Sequence, residues 1–72
     1  MLKVIGKYCK EYRQRLELKQ VDVSKATGYS LENVAAFEQG RNDNVRIFMW
    51  YVNKGLDLDR LCYILREELE HG

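Results

Sequence analysis

The side chains able to attack, ligate or carry a proton are few in this chain, and their spacing suits none of those tasks. Cys9 and Cys62 could close at most one disulfide, and neither lies in a C-x-x-C or in a Cys/His pair with metal-ligand spacing. They read as free, reduced thiols. His71, the single histidine, is one residue from the end of the sequence and is expected to be a solvated side chain rather than a base or ligand. Asp57, Asp59, Glu67, Glu68 and Glu70 gather carboxylates without a nucleophile, base or metal pair beside them, the pattern of a solvated acidic face with helix-start charges. No enzyme activity, metal or cofactor is therefore expected.

Size and charge narrow the remaining classes. A chain of 72 residues has room for one core, and by surface scaling it buries only about 60% of the surface its unfolded form exposes. One domain spanning 1–72 is expected. Twelve basic and eleven acidic groups leave a net charge of +1, but their placement is uneven. Residues 1–19 hold six basic and two acidic groups (+4), 20–40 one and three (−2), 41–56 three and one (+2), and 57–72 two and five (−3). Two positive blocks flank a slightly acidic middle, so near-neutrality leaves nucleic acid open as a partner while implying modest non-specific affinity for it. The start lacks the apolar run of a signal peptide, and the longest apolar stretch, Ile47 to Val52, is far too short for a bilayer. No membrane association and a cytoplasmic location are expected.

With no proline, few glycines and no Ser/Gly tract, the chain reads as all-α, five helices joined by tight turns. Ile5, Tyr8, Cys9, Tyr12 and Leu16 recur at steps of three and four between Val4 and about Glu17, with Lys3, Lys7, Lys10, Arg13 and Arg15 off that face. A short second helix from Gln20 to Thr27 turns Val23, Ala26 and Thr27 inward and ends at Gly28. Ser30 is placed to cap a third helix, with Asn33 at the capping-box position, running to about Gln39 before Gly40. It faces Val34 and Phe37 inward, and Leu31, Glu32, Ala35, Ala36 and Gln39 outward. Asp43 or Asn44 caps a fourth helix, Val45 to Asn53, and a last one runs from about 57 to 70. The fourth, with Ile47-Phe48-Met49-Trp50-Tyr51-Val52, is apolar around its circumference and needs a second covering surface: either the fifth helix folded over it or a partner subunit.

Between Leu18 and Arg41 the sequence resembles the helix-turn-helix of the lambdoid repressor/Cro family, the Xre-type regulators. Leu18-Lys19-Gln20 and Val23, the small Ser24, the turn glycine Gly28, Ser30, the core positions Val34 and Phe37, and the closing Glu38-Gln39-Gly40-Arg41 carry the match. Gly55-Leu56-Asp57-Leu58-Asp59-Arg60-Leu61 is similar to that family's entry to its final helix. The physical sense of the pattern is a rigid bracket at about 20–39: Ser24 and Gly28 allow two helices to cross closely, while Val23, Val34 and Phe37 fill the angle between them.

The resemblance implies a compact five-helix, lambda-repressor-like domain that binds double-stranded DNA and regulates transcription at the nucleoid. The second helix would approach the phosphates and the third would enter the major groove. Residue by residue, Gln20, Leu31, Glu32, Asn33, Ala35 and Ala36 would face base edges. Asn33 offers adenine a donor and acceptor pair, Glu32 accepts only from cytosine, and Leu31 or the alanines pack on a thymine methyl. Lys19, Lys25, Ser30, Gln39, Arg41 and Arg46 would hold phosphates. Arg13 and Glu38 would form the family's partly buried ion pair. One small module makes few base contacts, so the resemblance implies a homodimer on an inverted-repeat operator, with Phe48, Trp50, Tyr51, Leu61 and Leu65 as the candidate interface.

The sequence departs from the family pattern in three respects. The third helix has no Lys or Arg, so the common arginine–guanine contact is absent from it. Glu32 brings negative charge to its outer face, and Lys19 and Thr27 stand where a hydroxyl cap and a leucine are usual. These departures support a second reading, in which Leu31, Ala35 and Ala36 form a docking face for another protein on a helix-turn-helix scaffold.

Overall fold

Five helices and no strand account for residues 1–71, the part of the chain that the computed structural model describes. They are α1 (Leu2–Arg15), α2 (Gln20–Thr27), α3 (Leu31–Glu38), α4 (Val45–Asn53) and α5 (Leu58–His71). The expected spans of α2 and α4 hold to the residue. The first helix sits two residues earlier than its apolar spacing predicts, because the Met1 carbonyl accepts the Val4 and Ile5 amides, both at 3.1 Å.

Each terminus has a local cause. At the end of α1, Leu18 N–H donates to Arg13 O (3.2 Å) and Glu17 N–H to Gln14 O (3.0 Å), with Glu17 in the left-handed region at φ 60°. This Schellman turn is built on a glutamate where glycine is common. The Ser30 hydroxyl accepts the Asn33 amide at 3.1 Å, and Asn44 Oδ1 accepts the amides of Arg46 and Ile47, so Asn44 rather than Asp43 caps α4. Lys19 has no acceptor on its side chain, and α2 is instead fastened by Asp22, whose carboxylate takes the Lys19 amide at 2.7 Å. Thr27 works at the other end: its hydroxyl donates to Val23 O at 2.8 Å and accepts the Tyr29 amide at 3.3 Å.

The core is made by Cys9, Val23, Val34, Phe37, Ile47, Tyr51, Leu56 and Leu61. The Phe37 and Tyr51 rings stack at 5.8 Å between centroids, which fixes α3 against α4. Two inward assignments change: Leu16 is 39% exposed at the C-cap of α1, and Ala26 is exposed; Arg13, off the apolar stripe, is buried with Glu38. The close helix approach also lies elsewhere. A Cβ on Gly28 would meet nothing within 4 Å, so Gly28 serves through its backbone, at φ 80°, and not by letting helices touch. A Cβ on Gly6 would sit 2.5 Å from the Phe37 carbonyl oxygen, so α1 crosses the end of α3 at Gly6.

The apolar fourth helix is covered mainly by α2 and α1, and α5 packs on α1. Tyr51 and Leu61 are completely or almost completely buried inside this one chain, which removes both from the expected dimer interface. Both belong to the one buried cluster, Tyr51 from α4 and Leu61 from α5 where it packs on α1. Phe48, Trp50 and Leu65 are half-buried and packed against that core. Among the described residues no helix is long and apolar enough to cross a membrane.

Candidate nucleic-acid interface

The α2–turn–α3 bracket is anchored by one buried polar cluster. Arg13 on α1 reaches across to Glu38 at the end of α3 in a two-pronged pair, Nε to Oε2 at 2.8 Å and Nη2 to Oε1 at 2.9 Å. Its remaining nitrogen, Nη1, donates to the Leu18 carbonyl at 2.8 Å, closing the turn before α2. Glu38 also accepts Gln20 Nε2 at 3.0 Å and the Tyr51 hydroxyl. All the buried side-chain polar atoms among the described residues are satisfied. Four elements therefore meet at one carboxylate. Burial would push that carboxyl up, but donors from Arg13, Gln20 and Tyr51 together hold it below the usual carboxylate range. Burial and the bond to Glu38 raise Tyr51, so its hydroxyl stays a donor.

The expected Arg13–Glu38 pair is thus present, with Gln20 and Tyr51 as further donors; the sequence places Tyr51 at a dimer interface and Gln20 against base edges, whereas in the fold both bond to Glu38. Gln20 is half-buried with one amide hydrogen committed to Glu38, leaving its carbonyl oxygen and second hydrogen for any outside partner. The presence of Glu38 at the end of an apolar helix face was the signal that a further hydrogen-bond donor had to come from the helix packed on it.

Outside this cluster, α3 presents an open depression of about 540 Å³ lined by Ser30, Glu32, Asn33, Ala35, Ala36 and Arg41. Four of the expected base-facing residues and two of the expected phosphate-holding ones are gathered here. Ser30, Glu32, Asn33 and Arg41 are exposed, and the two alanines are half-buried. Arg41 is oriented by Gln39, whose Oε1 accepts its Nε at 2.8 Å. Asn42, in the polar loop after α3, donates from Nδ2 to the Asn33 carbonyl at 3.2 Å and so ties the loop to α3. Leu31 is 48% exposed at the first turn of α3.

Lys19 and Lys25 are exposed on and before α2, away from that lining. Arg46 belongs to a different depression, with Thr27, Tyr29, Met49 and Trp50. The structure therefore divides the six expected phosphate residues between the α3 face, where Ser30, Gln39 and Arg41 lie, and flanking positions. Elsewhere, Glu67, Glu70 and His71 converge at the exposed end of α5, with His71 Nε2 at 3.2 Å from Glu67 Oε2. This is the i, i+3, i+4 grouping that any helix makes. His71 thus continues α5 and remains a solvent-exposed side chain, as its place near the end of the sequence predicts.

No family model, curated protein or solved structure matches this chain.

Proposed function

We propose that the chain is a sequence-specific, double-stranded-DNA-binding domain that regulates transcription inside the cell, at the nucleoid, without enzymatic activity, and that it binds an inverted repeat as a homodimer. The observation that carries this reading is the exposed face of α3, where Ser30, Glu32, Asn33 and Arg41 share one open depression while the opposite face is held by Val34, Phe37 and the Glu38 cluster. A helix mounted rigidly from behind, with hydrogen-bonding groups in front, suits insertion into a groove about 12 Å wide.

The chemistry divides the roles. Asn33 can pair with adenine through its amide, and Glu32 can accept from cytosine N4. Ser30, Gln39 and Arg41 at the margins of the face suit phosphates, with Lys19, Lys25 and Arg46 adding sequence-independent attraction. The absence of a basic residue within α3 makes the flanking cations responsible for most of the salt dependence.

A mobility-shift titration tests this directly. Binding whose logarithm falls linearly with the logarithm of salt, and which weakens uniformly when Arg41 becomes Ala, supports DNA. The exposure of Leu31 beside Ala35 and Ala36 favours a second reading, a docking face for another protein. Absence of duplex binding at low salt would leave that reading in place of the first.

A further inference from the structure

The packing of α2 and α1 on the apolar fourth helix leaves one of its faces open. Arg46, Met49, Trp50 and Asn53 stand at i, i+3, i+4 and i+7 on α4, the spacing of a single helical face. Together with Tyr29, from the turn after α2, they line an open depression of about 460 Å³. Met49 is 44% exposed, Arg46 and Asn53 are exposed, and Trp50 is half-buried. The indole is positioned from behind by the Tyr51 ring, edge-on at 5.1 Å between centroids. The lining holds no acidic side chain. Among the described residues the Arg46 guanidinium has no salt bridge, and a second cation, Lys54 Nζ, lies 5.5 Å from the Trp50 ring centroid.

We propose that this depression docks an acidic segment of a partner protein, one in which an aromatic or large aliphatic side chain is flanked by Asp or Glu. Trp, Tyr, Met and Arg are the side chains enriched at the centres of protein interfaces, and Trp, Tyr and Arg carry most of their binding energy. Charge complementarity selects the occupant. The apolar side chain covers Trp50 and Met49, while carboxylates meet Lys54 and the planar fork of Arg46, which suits a two-pronged bond. Asn53 offers both a donor and an acceptor to the segment's backbone. Duplex phosphates would satisfy the two cations but leave Trp50, Tyr29 and Met49 uncovered, and a basic segment would be repelled. The docking does not depend on DNA binding; its regulatory consequence does rest on the proposed function. Arg46 is one of the flanking cations there, so a docked segment withdraws a phosphate contact, and each ligand weakens the other by the same factor.

Trp50 is the single tryptophan of the chain, so its fluorescence reports on the site directly. The full chain is titrated with a capped peptide, Glu-Asp-Phe-Glu-Asp-Leu, at physiological ionic strength. The emission should change and saturate with a dissociation constant on the order of 0.1 mM. Peptides with Ser for Phe and Leu, or with Lys for the acids, should bind about tenfold more weakly or not at all. Arg46→Glu places an acid in the first turn of α4, where the helix dipole tolerates it, and circular dichroism establishes that the variant is folded. It should weaken the acidic peptide about tenfold. No saturating response to that peptide, a response that Arg46→Glu leaves intact, or equal binding of the Ser peptide would overturn the proposal. So would an emission shift on diluting the chain alone, which would mean that a second copy covers the depression, or one produced by duplex DNA and not by the peptide. In the wild type, the peptide should also weaken binding of a labelled duplex severalfold. Duplex binding that is absent while the peptide response persists would overturn the nucleic-acid reading and leave the docking site standing.

Discussion

Gln20 Nε2 and Arg13 Nη2 donate to the same oxygen, Glu38 Oε1, at 3.0 and 2.9 Å. The first residue of α2 is thereby tied to the last residue of α3 through the carboxylate that α1 neutralises. The orientation of the candidate DNA-facing helix depends on a charge pair inside the protein, which makes its stability and its binding face separable by mutation.

Removing one partner of this pair strands the other. Arg13→Met leaves Glu38 buried with only neutral donors, and Glu38→Ala leaves Arg13 with only the Leu18 carbonyl. Each should cost roughly 3 to 5 kcal/mol in urea unfolding, a large share of the stability of a small domain. Tyr51→Phe removes one neutral-to-charged hydrogen bond and should cost about 1.5 to 3 kcal/mol.

Acid should attack the same site. Unfolded, Glu38 takes a proton near its usual 4.5, while in the fold its donors hold it lower. The unfolded chain therefore binds the proton more readily, so the stabilisation is complete above about 4.5 and is lost as pH falls through the lowered folded value. Urea midpoints measured from neutral pH down through the carboxylate range should fall more steeply for wild type than for Glu38→Gln, which cannot titrate there.

Two backbone positions should respond in opposite directions. Glu17→Gly relieves a left-handed residue in the turn after α1 and should stabilise by about 0.5 to 1 kcal/mol. Gly6→Ala drives a Cβ to 2.5 Å from the Phe37 carbonyl oxygen. It should destabilise by roughly 1 to 3 kcal/mol, as an overpacked crossing does. Thermal unfolding of the two variants beside the wild type checks both signs.

The two thiols should differ in reactivity. Burial, with the nearby Glu38 charge, pushes Cys9 up to about 12, whereas Cys62 is exposed. In dilute native protein a disulfide reagent should label Cys62 alone, and denaturant should release Cys9. Because folding raises the Cys9 pKa above its usual 9.0, its contribution to stability is full below that value and is lost as pH rises toward 12.

Much of this architecture was readable from side-chain spacing. Ser30, Asn44 and Gly28 mark helix boundaries because capping is decided within a few residues, and Val34 and Phe37 face inward because the helical period is local. What escaped depends on partners distant in sequence. Tyr51 stands in an apolar run that reads as interface, and only the packing of α4 on α2 and α1 aims its hydroxyl at Glu38. Leu61 looks available until α5 lies on α1. Gly6 sits mid-helix with no local sign that the end of α3 passes over it.

The central claim is that the α3 face reads DNA, and selection of bound duplexes from a random pool by the purified protein tests it most directly. The account predicts an enriched inverted repeat with half-sites about one helical turn apart, roughly 34 to 36 Å, and loss of enrichment at particular positions when Asn33 becomes Ala. Recovery of no duplex at low salt, or of a pool without sequence preference, would contradict it.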